Sequence, residues 1–333
     1  MMESYHAICI DGVYMDEERS TLTKLEITAM WRQAVALVAL LVPSSPTRTI
    51  MSRPAVADEP VLGRWDITIR MPDGERPSWL ELSHSGRDVV VGQFVGIVGS
   101  ARPISRVVVS GDSLHFAIPP QWESGNGDLT VDGRLTGGRL AGSMTLPDGK
   151  RYDWSGVRAP LMKRDHAAKW GTPIRLLHAN DLGGWRAVGG ETNQWEVANG
   201  VLRSPHSGAN IQTAQTFGDF KLHIEFRYPA GSNSGVYLHG RHEVQIQDDY
   251  GLEPANDRFS GVYGFIAPSE IAAKRPGEWQ SFDITLIGRM LTVVANGKRV
   301  ICDQAIPGIT GGAIDSNEGA PGPLLLQGDH GPI

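Results

Sequence analysis

Residues 233–251, NSGVYLHGRHEVQIQDDYG, decide the fold of the second half of the chain. Read with a period of two, Val236 and Leu238 lie on one side of a strand, and Val244 and Ile246 continue this apolar side after Gly240. The opposite side carries Tyr237, His239, Arg241, Glu243, Gln245 and Gln247. Phenol, imidazole, guanidinium, carboxylate and amide groups bind hydroxyls and carbonyls. We interpret this polar side as a ligand surface, with an ordinary solvated sheet face as the alternative.

The composition favours an all-β protein. The chain has 333 residues, enough for two domains, and 41% of them are hydrophobic. It contains 40 Gly and 21 Pro with few candidate helices, a pattern typical of many short strands joined by turns. The net charge is −6 and no Lys/Arg stripe is present, so nucleic acid is not an expected partner. Two cysteines are too few for a disulfide framework or a thiolate metal site.

Residues 1–59 are predicted to be a presequence followed by a disordered segment. Met30–Gln33 precedes an apolar run at 34–42, and Ala55–Ala57 has the small-x-small form of a signal-peptidase site before Asp58. The apolar run is too short to cross a bilayer, so the mature protein is not expected to span a membrane. These features predict export to the periplasm or the exterior. A frayed amphipathic tail is the alternative, and the start codon stays open between Met1 and Met30.

Residues 60–158 are predicted to form a small antiparallel β-barrel. About eight short strands follow one another, separated by turn signals such as 72–74, 110–111 and 147–149. Even spacing of this kind suggests an up-and-down barrel or a sandwich. Gly63-Arg64-Trp65 is similar to the first-strand Gly-x-Trp of lipocalin-type barrels. No convergent set of ionisable groups is visible here, which favours an accessory role.

A linker at 159–169 is predicted to lead into a second β domain at 170–333. Residues 218–228 alternate cleanly, with Phe220, Leu222, Ile224, Phe226 and Tyr228 on one side. The other side carries Lys221, His223, Glu225 and Arg227. Two sheets packed through such apolar sides make a sandwich whose polar sides turn outward.

Seven sequence blocks then occur in the order of a known family. They are Leu177–Trp185, Trp195–Leu202, Phe217–Arg227, Asn233–Gly251, Gly261–Gly264, Pro276–Trp279 and Leu326–Gly331. Together they resemble the 3-keto-disaccharide hydrolase domain, a former domain of unknown function, over about 174–333. The resemblance implies a concanavalin A-like jelly-roll β-sandwich.

Two departures from the family pattern occur near the end of the chain. The family usually lacks a residue at the position of Gly328, which predicts a bulge that displaces His330. The family also continues with another strand where this chain stops at Ile333. This difference predicts a truncated C-terminus with an exposed sheet edge.

The resemblance implies cleavage of glycosides already oxidised at C3 of the sugar. The ketone acidifies the C2 hydrogen, so a base can start elimination of the C1 aglycone, and water addition then gives net hydrolysis. An upstream sugar 3-dehydrogenase would supply such a carbohydrate substrate. A non-catalytic carbohydrate-binding module is the alternative function, and a structural module that binds a protein partner is a third.

The outward polar residues supply the candidate groups for this chemistry. The candidate catalytic residues are Glu243, His223, Arg241, Glu225 and His330. The candidate substrate-binding residues are Asn233, Tyr237, His239, Gln245, Arg227, Tyr263 and Trp279. The sequence leaves open whether a divalent cation such as Ca²⁺ is held by Glu243, Gln245 and Asp248. Sugar and aglycone specificity, the anomer and the oligomeric state also stay open.

Overall fold

The computed structural model describes residues 60–164, 168–177, 181–189 and 192–333. Within these ranges the chain consists of strands and loops without a helix, which confirms the all-β prediction. This part of the chain accordingly has no helical segment with the length and apolarity needed to cross a membrane. The predicted presequence at 1–59 lies outside the described residues.

Eight strands close into an antiparallel barrel in sequence order, because β1 pairs with both β2 and β8. The up-and-down barrel prediction is thereby confirmed. Its strands are β1 (Gly63–Met71), β2 (Gly74–Ser85), β3 (Val89–Val95), β4 (Arg102–Ser110), β5 (Ser113–Ile118), β6 (Leu129–Thr136), β7 (Arg139–Thr145) and β8 (Arg151–Arg158).

The barrel interior is filled by side chains spaced two apart along each strand. Trp65, Ile67 and Ile69 of β1 point inward, as do Leu80 and Leu82 of β2, and all five are buried in one apolar cluster. This arrangement follows from the pleat, which sends alternate side chains to opposite faces. The interior is therefore a packed core rather than a ligand cavity.

Eleven further strands build the second half. They are β9 (Trp185–Val188), β10 (Glu196–Ala198), β11 (Val201–Arg203), β12 (Asn210–Thr213), β13 (Phe220–Phe226), β14 (Asn233–Leu238), β15 (His242–Gln247), β16 (Gln280–Ile287), β17 (Met290–Ala295), β18 (Lys298–Ala305) and β19 (Leu325–Leu326). One sheet has the order β15-β14-β19-β12-β9 and a second has the order β13-β16-β17-β18, while β10 and β11 form a separate hairpin.

The two sheets of the second half pack through their apolar sides, as the alternation predicted. Val236 and Val244 of the five-stranded sheet share a buried cluster with Phe226, Phe282 and residues of the four-stranded sheet. The rings of Phe226 and Phe282 meet edge to face with centroids 4.7 Å apart. The prediction of a barrel followed by a β-sandwich is confirmed.

The outer face of β1 and β2 is covered by the sandwich. Trp79 points away from the barrel core, yet it is fully buried in a third cluster with Val95, Ile309 and Ala313. A Cβ atom on Gly308 would lie only 2.2 Å from the Trp79 indole, so a glycine is required for this close approach. Residues 58–333 accordingly form one compact unit. The predicted domain limits within it stay predictions.

A buried polar cluster lies beside Trp79 in the same interface. Asp66 is the cross-strand neighbour of Trp79, and its carboxyl group hydrogen-bonds that of Glu318. Arg289 forms a two-pronged ion pair with Glu318, with Nη1 2.5 Å from Oε1, and also donates to the carbonyl of Pro160. Charged groups on the sandwich therefore meet a carboxyl group on the outer wall of the barrel.

Candidate active site

Glu243 lies on β15, on the side of the five-stranded sheet that faces away from the sandwich core. It is directly opposite Tyr237 on β14, and the Tyr237 hydroxyl donates to Oε2 at 2.9 Å. A Cβ atom on Gly235 would lie 2.2 Å from Oε1. The absent side chain at Gly235 therefore leaves the space in which the carboxyl group sits.

This side of the sheet was interpreted as an outward ligand surface, yet Glu243 on it is buried and only 3% exposed. The loop at 308–313 covers the carboxyl group, since Thr310 Oγ1 accepts from the Glu243 backbone N–H at 3.0 Å. The barrel holds this loop in place through the Ile97 carbonyl, which accepts from Gly312 N–H at 3.1 Å. A non-periodic loop and a barrel loop thus turn an outward strand face into a buried site.

Burial raises the pKa of Glu243 to about 8, against the lowering effects of the Tyr237 hydrogen bond and the charge of His330. The Tyr237 oxygen also lies 3.1 Å from the Gly311 carbonyl. A protonated Glu243 can therefore donate to Tyr237 while Tyr237 donates to Gly311, and an ionised Glu243 accepts from Tyr237. A carboxyl group that exchanges a proton near neutral pH suits general acid–base catalysis.

Asp329 and His330 approach Glu243 from the segment after β19. His330 Nδ1 lies 2.6 Å from Asp329 Oδ1. This hydrogen bond raises the pKa of His330, assisted by the negative charges of Asp329 and Glu243 and opposed by burial. Both side chains remain accessible to solvent. His330 thus lies at the surface, and its charge acts on Glu243.

Gly328, the additional residue relative to the family pattern, is anchored on both sides. Its N–H donates to Asn210 Oδ1 at 2.7 Å, and its carbonyl accepts from Gly208 N–H at 2.9 Å. A Cβ atom here would lie 2.3 Å from the Ala209 carbonyl, so a larger residue would push the segment away. The predicted displacement of His330 relative to the family stays a prediction.

Polar side chains surround the carboxyl group of Glu243. The Gln245 amide lies beside this group, and its Nε2 donates to Gln247 Oε1 at 3.0 Å. Tyr263 donates its backbone N–H to the Glu243 carbonyl at 3.0 Å, and burial together with the charge of Glu243 raises the pKa of its phenol. Gln327 projects from the same sheet face, and within the described residues its buried Oε1 has no partner. These groups could bind the hydroxyls of a sugar.

Four of the predicted residues lie on the other sheet. His223, Glu225 and Arg227 follow the outer side of β13 and its end, where His223 Nδ1 pairs with Asp283 at 2.7 Å in solvent. The Arg227 guanidinium stacks over the Trp279 ring, 5.2 Å from its centroid. The expectation that these residues join Glu243 on one platform is corrected. Each sheet turns its apolar side to the common core, so the two polar sides point in opposite directions.

Arg241, His239 and Asn233 have protein partners close to the site. The turn between β14 and β15 contains Arg241, whose guanidinium is buried and holds Asp315 through two bonds of 2.7 and 3.0 Å. His239 in the same turn donates from Nε2 to the Gly218 carbonyl at 2.8 Å, and burial lowers its pKa. Asn233 at the far end of β14 contacts Gln247 at 3.4 Å. Arg241 and His239 are therefore not outward strand residues as predicted, but parts of a buried turn.

The predicted cation ligands are engaged by protein groups. Asp248 Oδ2 accepts from Gly231 N–H at 2.9 Å, while Glu243 and Gln245 have the partners described above. No cluster of three or more His, Cys, Asp or Glu able to hold a metal occurs within the described ranges. Binding of a divalent cation stays a prediction.

Sequence reasoning missed three groups that the fold brings to Glu243. Asp329 stood inside the quoted block 326–331, and its position next to His330 was the available signal. Gln327 follows two apolar strand residues. The face of the sheet from which its side chain projects could therefore be inferred only from the register of β19. Thr310 lies in a loop without periodicity, and nothing in the sequence indicates its contact.

Two surface depressions elsewhere contain no comparable arrangement. One, of about 320 Å³, lies beside Trp170 and Asp219. The other, of about 550 Å³, lies on the outer wall of the barrel, where His115 and Asp132 form a solvated pair at 2.8 Å. Ion pairs this exposed contribute little and are common on strand surfaces.

The second half of the chain is similar to known proteins. Residues 172–333 match the model of the 3-keto-alpha-glucoside-1,2-lyase-like domain. A provisionally assigned glycosyl hydrolase from Parabacteroides distasonis is 31% identical over 48% of this chain and 78% of its own, with a TM-score of 0.41. The chain belongs to the 3-keto-alpha-glucoside-1,2-lyase-like domain family through residues 172–333.

Two further structures from Parabacteroides distasonis carry the same provisional assignment. One is 19% identical over 47% of this chain and 87% of its own, with a TM-score of 0.38. The other is 24% identical over 45% of this chain and 87% of its own, with a TM-score of 0.36. No match was found among curated proteins.

Proposed function

We propose that the protein cleaves glycosides that carry a ketone at C3, with Glu243 as the proton-transfer group. Membership in a 3-keto-glucoside lyase-like family and the similarity to provisionally assigned glycosyl hydrolases support a carbohydrate-active, hydrolase-type function. The observation that carries the finer proposal is the Glu243 carboxyl group. Its pKa of about 8, the bonded Tyr237 and the nearby His330 make a site for moving protons.

The proposed reaction has two balanced steps. In the first, ionised Glu243 takes the proton from C2, the C2–H electron pair forms a C1–C2 double bond, and the C1–O bond breaks. The leaving oxygen takes a proton from His330, which releases the aglycone as an alcohol. In the second, water adds across the double bond, with its hydroxyl at C1 and a proton returned to C2. The sum is hydrolysis of the glycosidic bond.

The groups around Glu243 suit the proton transfers of these two steps. Tyr237 donates to the ionised carboxylate and accepts from the protonated one, so it accompanies the proton on Glu243. Within the described part of the chain the buried Oε1 of Gln327 has no partner, and the Gln245 amide lies beside Glu243, which supports binding of ring hydroxyls by both. Because the pKa of Glu243 is about 8, its ionised and protonated forms coexist near neutral pH, and the raised pKa of His330 favours its proton-donating form. Two carboxylates flanking an oxocarbenium ion are not required.

The supply of substrate and the place of action belong to the same proposal. A C3 ketone must come from a sugar 3-dehydrogenase acting upstream, since the proposed steps do not oxidise the sugar. The pattern at 30–57 favours export to the periplasm or the exterior. N-terminal sequencing of the mature protein from its native host should begin near Asp58. An intact Met1 or Met30 on the mature chain would disprove export by this route.

The function is tested with methyl 3-keto-glucoside and the unoxidised glucoside as substrates. Turnover is expected only for the ketone, and Glu243→Gln should reduce it by roughly 10²-fold or more. The matched control is Glu225→Gln, which makes the same substitution on the opposite sheet. His330→Ala should likewise reduce turnover, with His223→Ala as its control.

The outcomes separate the candidate functions. Equal losses in Glu243→Gln and Glu225→Gln would argue against a specific role of this carboxyl group. Binding of both glycosides without turnover would support a carbohydrate-binding module. Absence of both binding and turnover would leave a structural module that binds a protein partner as the remaining function. Circular dichroism on each variant verifies that the fold persists.

A further inference from the structure

The loop between β5 and β6, residues 119–128, displays an aromatic side chain to solvent. Trp122 is 66% exposed, although indole rings usually bury much of their surface in a folded protein. Among the described residues, Trp79 and Trp154 are by contrast fully buried. An exposed Trp is costly in water unless it has a partner, and it therefore points to a contact outside the isolated chain.

The backbone on either side of Trp122 is held rigidly. Glu123 Oε2 accepts from the backbone N–H of Gln121 at 2.8 Å and from that of Trp122 at 3.2 Å. The same carboxylate pairs with the buried Arg102 guanidinium at 2.7 Å. Gln121 is in turn bonded to Ser100, with Nε2 2.8 Å from Oγ. Such a framework fixes the position of the indole rather than leaving it on a loose loop.

This framework lies against the candidate active site. A Cβ atom on Gly99 would lie 2.7 Å from Trp122 Cδ1, and one on Gly311 would lie 2.3 Å from the Gly99 carbonyl. Gly311 accepts from Tyr237, the partner of Glu243. The Trp122 side chain also lies next to that of Tyr263, whose backbone N–H donates to the Glu243 carbonyl at 3.0 Å. Two short paths therefore connect the barrel tryptophan to the carboxyl group.

We infer that the barrel completes the substrate site, with Trp122 as an aromatic platform for the aglycone of the glycoside. This inference rests on the proposed function. The family-defining residues begin at 172, so the barrel side chain is an addition by this chain to the family site. The apolar faces of sugar rings stack on indole rings, while Tyr263 positions the ring edge. Preference for a disaccharide over a small glycoside then arises from the barrel.

The test compares KM for a 3-keto-disaccharide with KM for methyl 3-keto-glucoside. Trp122→Ala should raise KM for the disaccharide roughly tenfold and leave KM for the methyl glycoside within about twofold, because only the former carries a ring that reaches the platform. Trp122→Phe should retain most of the wild-type preference. The matched control is Trp170→Ala, which removes an exposed Trp near Lys221 on the sandwich.

The outcomes distinguish failure of the inference from failure of the proposed function. An active protein in which Trp122→Ala changes both KM values equally, or neither, overturns the platform alone. If the wild type turns over neither ketone, the proposed function is overturned, and calorimetric binding of the same disaccharide decides the inference. Weaker binding in Trp122→Ala than in Trp170→Ala supports the platform. Equal binding in the two variants, or no binding by any protein, rejects it.

Discussion

Glu243 differs from an ordinary surface carboxylate in both of its protonation states. When ionised it accepts from Tyr237, and when protonated it donates to the same oxygen, which can pass its hydrogen to Gly311. Burial sets the pKa near 8, while the hydroxyl of Tyr237 and the charge of His330 hold it from rising further. The acid–base behaviour of the site therefore depends on neighbours as much as on the carboxyl group itself.

Replacement of Tyr237 by Phe should shift the pH dependence of catalysis. The hydroxyl stabilises the ionised form of Glu243, so its removal raises the pKa of the carboxyl group above its present value of about 8. If ionised Glu243 is the base, the rising limb of kcat/KM against pH moves to higher pH by roughly one pH unit. Tyr228→Phe is the control, since that buried hydroxyl has no partner in the described residues. An unmoved limb would mean that Glu243 is not the titrating base.

At the scale of elements, the β14–β15 pair carries the site. Cross-strand pairing places Tyr237 opposite Glu243, and Gly235 opposite Gln245 one pair further along the same face. The five-stranded sheet continues through β19, which leads directly to Asp329 and His330. Three strands with one register thus bring together residues that are almost ninety positions apart.

Gly235→Ala should disable the site through Glu243. The new methyl group would meet Glu243 Oε1 at 2.2 Å and Cγ at 2.8 Å, so the carboxyl side chain must move. Activity should fall at least as far as in Glu243→Gln, and overpacking should lower the free energy of unfolding by about 1–3 kcal/mol. Gly218→Ala is the control, because a Cβ atom there meets nothing within 4 Å. Urea denaturation and steady-state kinetics measure the two effects, and full activity in Gly235→Ala would contradict the packing described.

At the scale of the whole molecule, the barrel acts as a wall for the sandwich. The side chains of Trp79 and Asp66 project from the outer wall of the barrel, and the sandwich buries both. Burial raises the pKa of Asp66 to about 8, the neighbouring Glu318 carboxylate adds to this rise, and Arg289 opposes it. We therefore assign the proton of the pair to Asp66, while Glu318 stays ionised in its bond with Arg289.

This assignment predicts how stability depends on pH. The folded chain retains a proton on Asp66 up to about pH 8, whereas the unfolded chain loses it near the ordinary aspartate pKa of 3.8. The free energy of unfolding should therefore fall as pH rises from about 4 to 8, by at most roughly 1.4 kcal/mol per pH unit for this proton. Asp66→Asn should flatten the slope, and Asp112→Asn on the barrel surface should not. Equal slopes in both variants and the wild type would refute the buried proton.

Local patterns in the sequence were sufficient to predict the barrel and the β-sandwich. Turn signals spaced along 60–158 predicted the closed eight-stranded barrel, and period-two alternation in 218–228 and 233–247 predicted the two sheets of the sandwich. Both patterns succeed because strand geometry sends alternate side chains to opposite faces, and apolar sides must leave water. The same reasoning, with the family resemblance, named Glu243 and His330, which the structure brings together.

Tertiary structure alone decided which polar side became a site. Alternation shows that His223 and Glu243 both lie opposite apolar residues, but it does not say that they belong to different sheets facing opposite ways. It also does not say that Glu243 is covered, since the cover comes from the loop at 308–313 and from the barrel. Loops have no periodicity that would predict their contacts. Contacts between segments distant in sequence depend on how the barrel and the sandwich pack against each other. The elevated pKa of Glu243 is a consequence of that docking.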